Sequence, residues 1–286
     1  MDEAFTKQID ARLAAGRQAA VVGLDPRLDA LPGTLEPDAP PAQRIVAFYR
    51  EALPRIAPLA VAVKPNIAFF EVFGAEGFAA WIETCRIARE LGLPVIGDIK
   101  RGDIGSTAAA YARAHFEHAD AVTLHPYLGS DSIEPFLAPC RESGRAVFVL
   151  VHTSNPSAGE FQERVTDGET LCEAVADAVD RWGRELVDST GYSAVGAVVG
   201  ATYPEQLVSL RARMPRAWFL IPGVGAQGGA VADLGPAFDD RGRGALVNQS
   251  RGIMQCFEPT DRDWLDRITA ALEGFCAELR EVCRER

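Results

Sequence analysis

Leu93-Pro-Val-Ile-Gly97, continued by Asp98-Ile-Lys100-Arg-Gly-Asp103-Ile-Gly-Ser-Thr107, reads as a buried strand that ends in charge and leads into a helical stretch. Charges gathered at a strand end are costly to bury unless they pair or act. Side-chain direction in an extended chain repeats every two residues, which predicts Asp98 and Lys100 on one side. Asp103 falls past the strand. A lysine between two carboxylates is a set of groups whose protonation states depend on one another.

The same pattern recurs along the 286 residues. Apolar runs at Ala19–Leu24, Val61–Val63, Pro94–Ile96, Ala121–Leu124, Ala146–Val151, Ala194–Val199, Trp218–Ile221 and Gly244–Val247 predict eight strands. Most are rich in Val, Ile and Leu without polar alternation, as in parallel strands covered on both faces. Helical periodicity lies between them: Ile45, Phe48, Tyr49 and Leu53; Leu171, Val175, Val179 and Trp182; and, after the capping signal Thr260-Asp-Arg-Asp263, Trp264, Ile268, Leu272, Phe275 and Leu279. Eight strand-then-helix units predict a single-domain α/β protein, a (β/α)8 TIM barrel spanning residues 1–286 with an extra N-terminal helix, a doubly wound open sheet being the alternative. Pro32–Pro41 and Asn155–Gly168 read as loops within this unit, not as linkers, and the second, with the loop around Gln227, is a candidate lid.

Hydrophobic residues make up 48% and charged residues 24%, within the ordinary globular range. The net charge of −11 argues against nucleic acid or an anionic membrane surface as partner, though not against a small anionic substrate met by a local basic cluster. The six cysteines form no C-x-x-C pair and no zinc spacing with the four histidines, so they read as reduced thiols of a cytoplasmic protein. The charged N-terminal stretch reads as a helix rather than a signal peptide, and no apolar run reaches the roughly 18 residues of a membrane span.

The strand C-termini of such a barrel share one face, where sites are built. Here they read Asp25, Lys64, Asp98 with Lys100, Thr123 with His125, Thr153-Ser154-Asn155, Pro222-Gly-Val-Gly225-Ala-Gln227, and Asn248-Gln-Ser-Arg251-Gly252. Asp25 alone could be a turn residue before Pro26, and Lys64 alone a surface lysine. His125 reads as a satisfied polar residue beneath the site. The glycine run after the seventh strand and Arg251-Gly252 after the eighth together predict a phosphate site, since backbone N–H groups and a guanidinium fork suit phosphate oxygens. No Walker or Rossmann fingerprint supports a nucleotide cofactor.

Taken in order, Val22-Gly-Leu-Asp25, Val63-Lys-Pro-Asn66, Asp98 to Thr107, Leu150-Val-His-Thr-Ser-Asn-Pro156, Ile221-Pro-Gly-Val-Gly-Ala-Gln-Gly-Gly229 and Gln249-Ser-Arg-Gly-Ile253 closely resemble the orotidine 5′-phosphate decarboxylase family, in particular its longer, type 2 bacterial subfamily. The resemblance implies a cofactor-free, metal-free conversion of orotidine 5′-monophosphate to UMP and CO2 in pyrimidine biosynthesis. It implies Asp98 against the substrate carboxylate, Lys100 delivering a proton to C6, and Asp25 and Lys64 holding the ribose. It implies Ser154 on the pyrimidine amide, and Gln227 and Arg251 on the phosphate with N–H groups near Gly225 and Gly252. It further implies a homodimer in which Asp103 and Thr107 reach the partner's substrate. Two other readings stay open. Metal-dependent sugar-phosphate enzymes share the D-x-K-x-x-D spacing, although Lys64 stands where they carry a carboxylate ligand. An inactive phosphate-binding barrel is the other, which gives no reason for a lysine between two acids.

Overall fold

In the computed structural model, residues 3–201, 204–225 and 228–284 are described. All eight apolar runs are strands: β1 (Ala20–Leu24), β2 (Ala62–Pro65), β3 (Ile96–Arg101), β4 (Ala121–Leu124), β5 (Ala146–His152), β6 (Ser193–Val199), β7 (Ala217–Ile221) and β8 (Ala245–Gln249). Each pairs in parallel with its sequence neighbour, and β1 pairs with β8 through Ala20–Val247, Val21–Asn248 and Val22–Gln249. Bridges from Val63 to Val95 and from Asn66 to Asp98 join β2 to β3 and close the ring. The fold is the barrel and not the open sheet.

Most strand residues are wholly buried because helices cover the outside while the strands' own side chains fill the inside. The N-terminal helix Phe5–Ala14 seals the floor: Phe5 meets Phe148 of β5 edge-on at 5.9 Å. Arg12 of that helix donates to the carbonyls of Ala57, Ala60 and Gly92, which lead into β2 and β3. The last helix, Trp264–Arg284, begins directly after its capping signal and packs Trp264 against Phe48 of helix Pro41–Ile56 at 5.3 Å.

The structure departs from expectation at three places. β3 runs through the charged segment to Arg101, because the charges are paired and can be buried. The β7–β8 connection is the 3-10 stretch Val231–Ala237 and not an α-helix; Gly235 and Pro236 lie within it, and both are poor helix formers. Finally, Asn155–Gly168 is not plain loop. It holds the 3-10 helix Pro156–Glu160 and most of a hairpin, Val165–Thr166 against Glu169–Thr170, turning at Asp167 and Gly168 with φ of 54° and 91°. Helix Leu171–Gly183 follows on a capping box of Thr170 and Glu173, and its first residue Leu171 is exposed although helical spacing placed it on the inner face.

Candidate active site

At the C-terminal mouth of the barrel, Asp98 is 7% exposed and stands between two ammonium groups. Lys64 Nζ donates to its Oδ2 at 2.7 Å, and Lys100 Nζ donates to its Oδ1. Lys64 is buried as deeply as Asp98, whereas the Lys100 side chain is 46% exposed and faces the open mouth. Burial pushes the Asp98 carboxyl up, but Lys64 and Lys100 more than offset this and hold it far below the usual carboxylate range. Burial likewise pushes the Lys64 ammonium down, and Asp98 with Asp25 raises it above its ordinary value. The cluster is therefore one fixed anion between two cations.

Simple strand alternation does not produce this geometry. The β3–β4 register shifts between Gly97 and Arg101, so that three residues of β3 stand opposite Thr123 alone. Lys100 has a φ of 44°, in the left-handed region that a lysine rarely occupies, at a cost of about 1–3 kcal/mol. The Thr123 hydroxyl fills the gap. It accepts from the N–H groups of Ile99 and Lys100, both at 3.0 Å, and donates to Asp98 Oδ1 at 3.0 Å. Sequence reasoning noted Thr123 only as a strand end; nothing in Ala121-Val-Thr-Leu124 signals the bulge beside it.

Asp25 lies at the end of β1, half-buried, with Oδ1 enclosed and without a hydrogen-bond partner. Beneath it Tyr49 is fully buried, and burial followed by the Asp25 charge pushes its phenol well above the usual value. Asn248 of β8 also buries an unpartnered oxygen, Oδ1. Gly23 lets the two strands' ends meet: a Cβ there would stand 1.8 Å from Ser250 Oγ and 3.2 Å from Asn248 Oδ1. Two unpartnered buried acceptors, one after β1 and one on β8, leave polar capacity at this end of the barrel, as a hydroxyl-bearing ligand requires.

The remaining candidates divide. Ser154, after β5, is half-buried against β6, and its backbone comes within 2.9 Å of where a Cβ on Gly200 would lie, so only glycine permits that approach. Asp103 accepts from the Ile104 N–H at 2.8 Å and pairs with no cation among the described residues, so this chain does not bring it to Lys100. Thr107 is exposed on the helix that follows. His125 is exposed too, not buried beneath the site as its sequence position suggested.

On the phosphate side, Arg251 is exposed and forms no ion pair among the described residues, and Gly252 follows it in the short helix Arg251–Met254. Gly225 has a φ of 74°, but its N–H donates to Gly229 O at 2.9 Å, so that N–H closes the loop on itself and is not offered to an anion. Gln227 lies outside the described residues. Gln249, to which the sequence assigns no role, joins the two loops: its side-chain amide is 3.4 Å from the position of a Cβ on Gly225 and 2.9 Å from that of a Cβ on Gly252.

Comparison with known proteins adds a family to this geometry. A family model described as "Orotidine 5'-phosphate decarboxylase / HUMPS family" matches residues 38–261. The orotidine 5′-phosphate decarboxylase of Rhodopirellula baltica is 42% identical over 93% of this chain and 96% of its own, and that of Deinococcus radiodurans is 44% identical over 88% and 90%. Among solved structures, OMP decarboxylase of Leishmania donovani superposes with a TM-score of 0.79 at 38% identity, over 98% of this chain and 99% of that one. UMP synthase of the same organism gives 0.80 at 40% identity, and the present chain spans 57% of its length.

Proposed function

The chain belongs to the orotidine 5′-phosphate decarboxylase / HUMPS family and decarboxylates orotidine 5′-monophosphate to UMP and CO2 in pyrimidine biosynthesis; from that premise we propose that it does so without a cofactor, Lys100 protonating C6. The observation that supports this is the shared carboxylate: Asp98 is held ionised by Lys64 from one side and by Lys100, the only one of the three open to the mouth, from the other.

The substrate carboxylate sits beside the Asp98 anion and the Lys100 ammonium. The C6–carboxylate bond breaks, CO2 leaves, and the electron pair stays on C6 in the ring plane, where no adjacent carbonyl delocalises it. The Lys100 ammonium stabilises that charge and transfers an N–H proton to C6, and the resulting amine regains a proton from solvent. Asp98 holds the Lys100 ammonium in place before the step. Lys64 is too deeply paired to move, so it anchors Asp98 and, with Asp25 and the enclosed Asn248 oxygen, faces the ribose. Ser154 takes the pyrimidine amide, and Arg251 with Gln227 and the Gly252 end of its helix takes the phosphate, whose binding energy closes the site although no bond to phosphate changes.

The working unit in this reading is a homodimer with shared sites. Ile104 is 54% and Tyr127 85% exposed on the neighbouring loops after β3 and β4, beside Asp103 and Thr107, so an apolar surface accompanies the two polar residues that this chain leaves unused. We place the protein in the cytoplasm, consistent with six cysteines that form no disulfide among the described residues. The test is turnover of orotidine 5′-monophosphate in D2O with EDTA present. The expected result is undiminished turnover with deuterium at C6 of the UMP formed. Turnover that collapses under the chelator and returns with Mg2+ overturns the cofactor-free reading.

A further inference from the structure

We propose that Thr123 is a positioning residue for the proton transfer: its hydroxyl holds Lys100 in the left-handed backbone conformation from which the ammonium reaches C6, and clamps Asp98 in the same stroke. The proposal rests on Lys100 being the proton donor and names what puts it there.

A three-against-one bulge leaves backbone groups of the longer strand without ladder partners. In β3 these are the N–H groups of Ile99 and Lys100, and both are met by one side-chain atom, Thr123 Oγ1. A hydroxyl has two lone pairs and one proton. Here both lone pairs take the bulge N–H groups and the proton goes to Asp98 Oδ1, so every hydrogen-bonding valence is spent on three successive residues of β3, two of which, Asp98 and Lys100, face the reacting carbon. Thr123 is 1% exposed, and the contacts leave no freedom to rotate without losing one of them. A φ of 44° at Lys100 persists only where surrounding structure determines it. Thr123 is the contact that does so: a valine of the same shape keeps the packing but supplies neither acceptor nor donor. Relaxation of residue 100 toward an ordinary φ swings Nζ away from the position above Asp98, and a displacement of about 1 Å at a reacting group costs about 10²-fold in rate.

The experiment compares wild type, Thr123→Val, Thr123→Ser and Lys100→Ala. Three quantities are read: kcat for orotidine 5′-monophosphate, Kd for UMP, and the rate at which bound UMP exchanges its C6 hydrogen for deuterium in D2O, the microscopic reverse of the protonation. In Thr123→Val, kcat and the exchange rate are expected to fall together by about 10²-fold, with Kd for UMP within threefold of wild type. Thr123→Ser is expected to stay within about tenfold in kcat, because the hydroxyl remains. Should Thr123→Val not fold, Thr123→Ala takes its place against Thr123→Ser. Equal losses in the serine and hydroxyl-free variants, or a hydroxyl-free variant with near-wild-type kcat and exchange, overturn the proposal. Lys100→Ala separates the two levels. If it keeps turnover, the proton-donor reading fails first; if it is inactive while Thr123→Val works normally, only the positioning role falls.

Discussion

Lys64 and Asp98, on adjacent strands of the barrel, form an ion pair at 2.7 Å in which both side chains are at least nine-tenths buried. Removing one member of such a pair strands the other's charge, which costs about 3–5 kcal/mol, less here because Lys100 still reaches Asp98. Lys64→Met should therefore lower stability by about 2–4 kcal/mol, read as a drop in the urea midpoint at constant slope. The double variant Lys64→Met with Asp98→Asn should recover at least half of that loss. A double variant as unstable as the single one would show that lost packing, not stranded charge, sets the cost.

Lys100 carries the opposite balance of roles. Its side chain is 46% exposed, so Lys100→Ala removes little buried surface, and alanine, with the same Cβ, leaves the backbone at residue 100 under the same constraint. Melting temperature should stay nearly level, while kcat falls by about 10⁴-fold or more, the upper end of what a positioned acid supplies plus the lost charge stabilisation. UMP affinity should change by less than about tenfold. Activity near wild type would remove Lys100 from the chemistry.

The barrel was legible because parallel strands covered on both faces leave continuous apolar runs, and all eight stand within two or three residues of where Val, Ile and Leu cluster. The extent of β3 was not legible. Asp98 and Lys100 look like a strand's end until Lys64, thirty-four positions earlier, is known to neutralise them. Thr123 escaped notice for a related reason. A bulge has no side-chain period, so its partner strand reads as ordinary. The Asp167-Gly168 turn was visible in principle, but strands of two residues give alternation nothing to act on. Gln249 was hidden because its role is to touch two glycines, a contact that no residue spacing encodes.

Arg251 should separate binding from folding. It is exposed and forms no ion pair among the described residues, so Arg251→Ala should leave the urea midpoint within about 0.5 kcal/mol of wild type. The loss of a bidentate charge-assisted contact to phosphate, at about 1.5–3 kcal/mol per hydrogen bond, predicts a KM raised by about 10²- to 10⁴-fold. Steady-state kinetics decide it, and a KM within threefold would take Arg251 out of the phosphate site.

His115 should shape the acid limb of stability. Its ring lies edge-on to Trp81 at 5.8 Å and stacks with Tyr111 at 6.3 Å, and its Nδ1 is buried without a partner. Burial first, and then the Arg101 charge, pushes its pKa from 6.5 down to about 4. Between those two values the unfolded chain binds a proton that the folded chain refuses, so stability falls as pH drops through that window, by up to roughly 3 kcal/mol. Above pH 6.5 the imidazole is neutral in both states and contributes no slope. His115→Phe, which keeps an aromatic ring in the cluster, should flatten the urea midpoint between pH 7 and pH 4.5. An unchanged slope would assign the acid sensitivity to other groups.

Asp103 and Thr107 pose the last question, because the described residues of one chain give them nothing to act on: among these Asp103 bonds only its neighbour's N–H, and Thr107 is exposed. If each site takes Lys100 from one subunit and Asp103 from the other, Lys100→Ala and Asp103→Ala homodimers are both impaired. Refolding the two together then creates one site with both residues intact in every mixed dimer. Random pairing makes half the dimers mixed and restores half of their sites, so about a quarter of wild-type activity should return. If Asp103 served its own subunit, every site in the mixture would lack one residue and activity would not rise above the mean of the two parents.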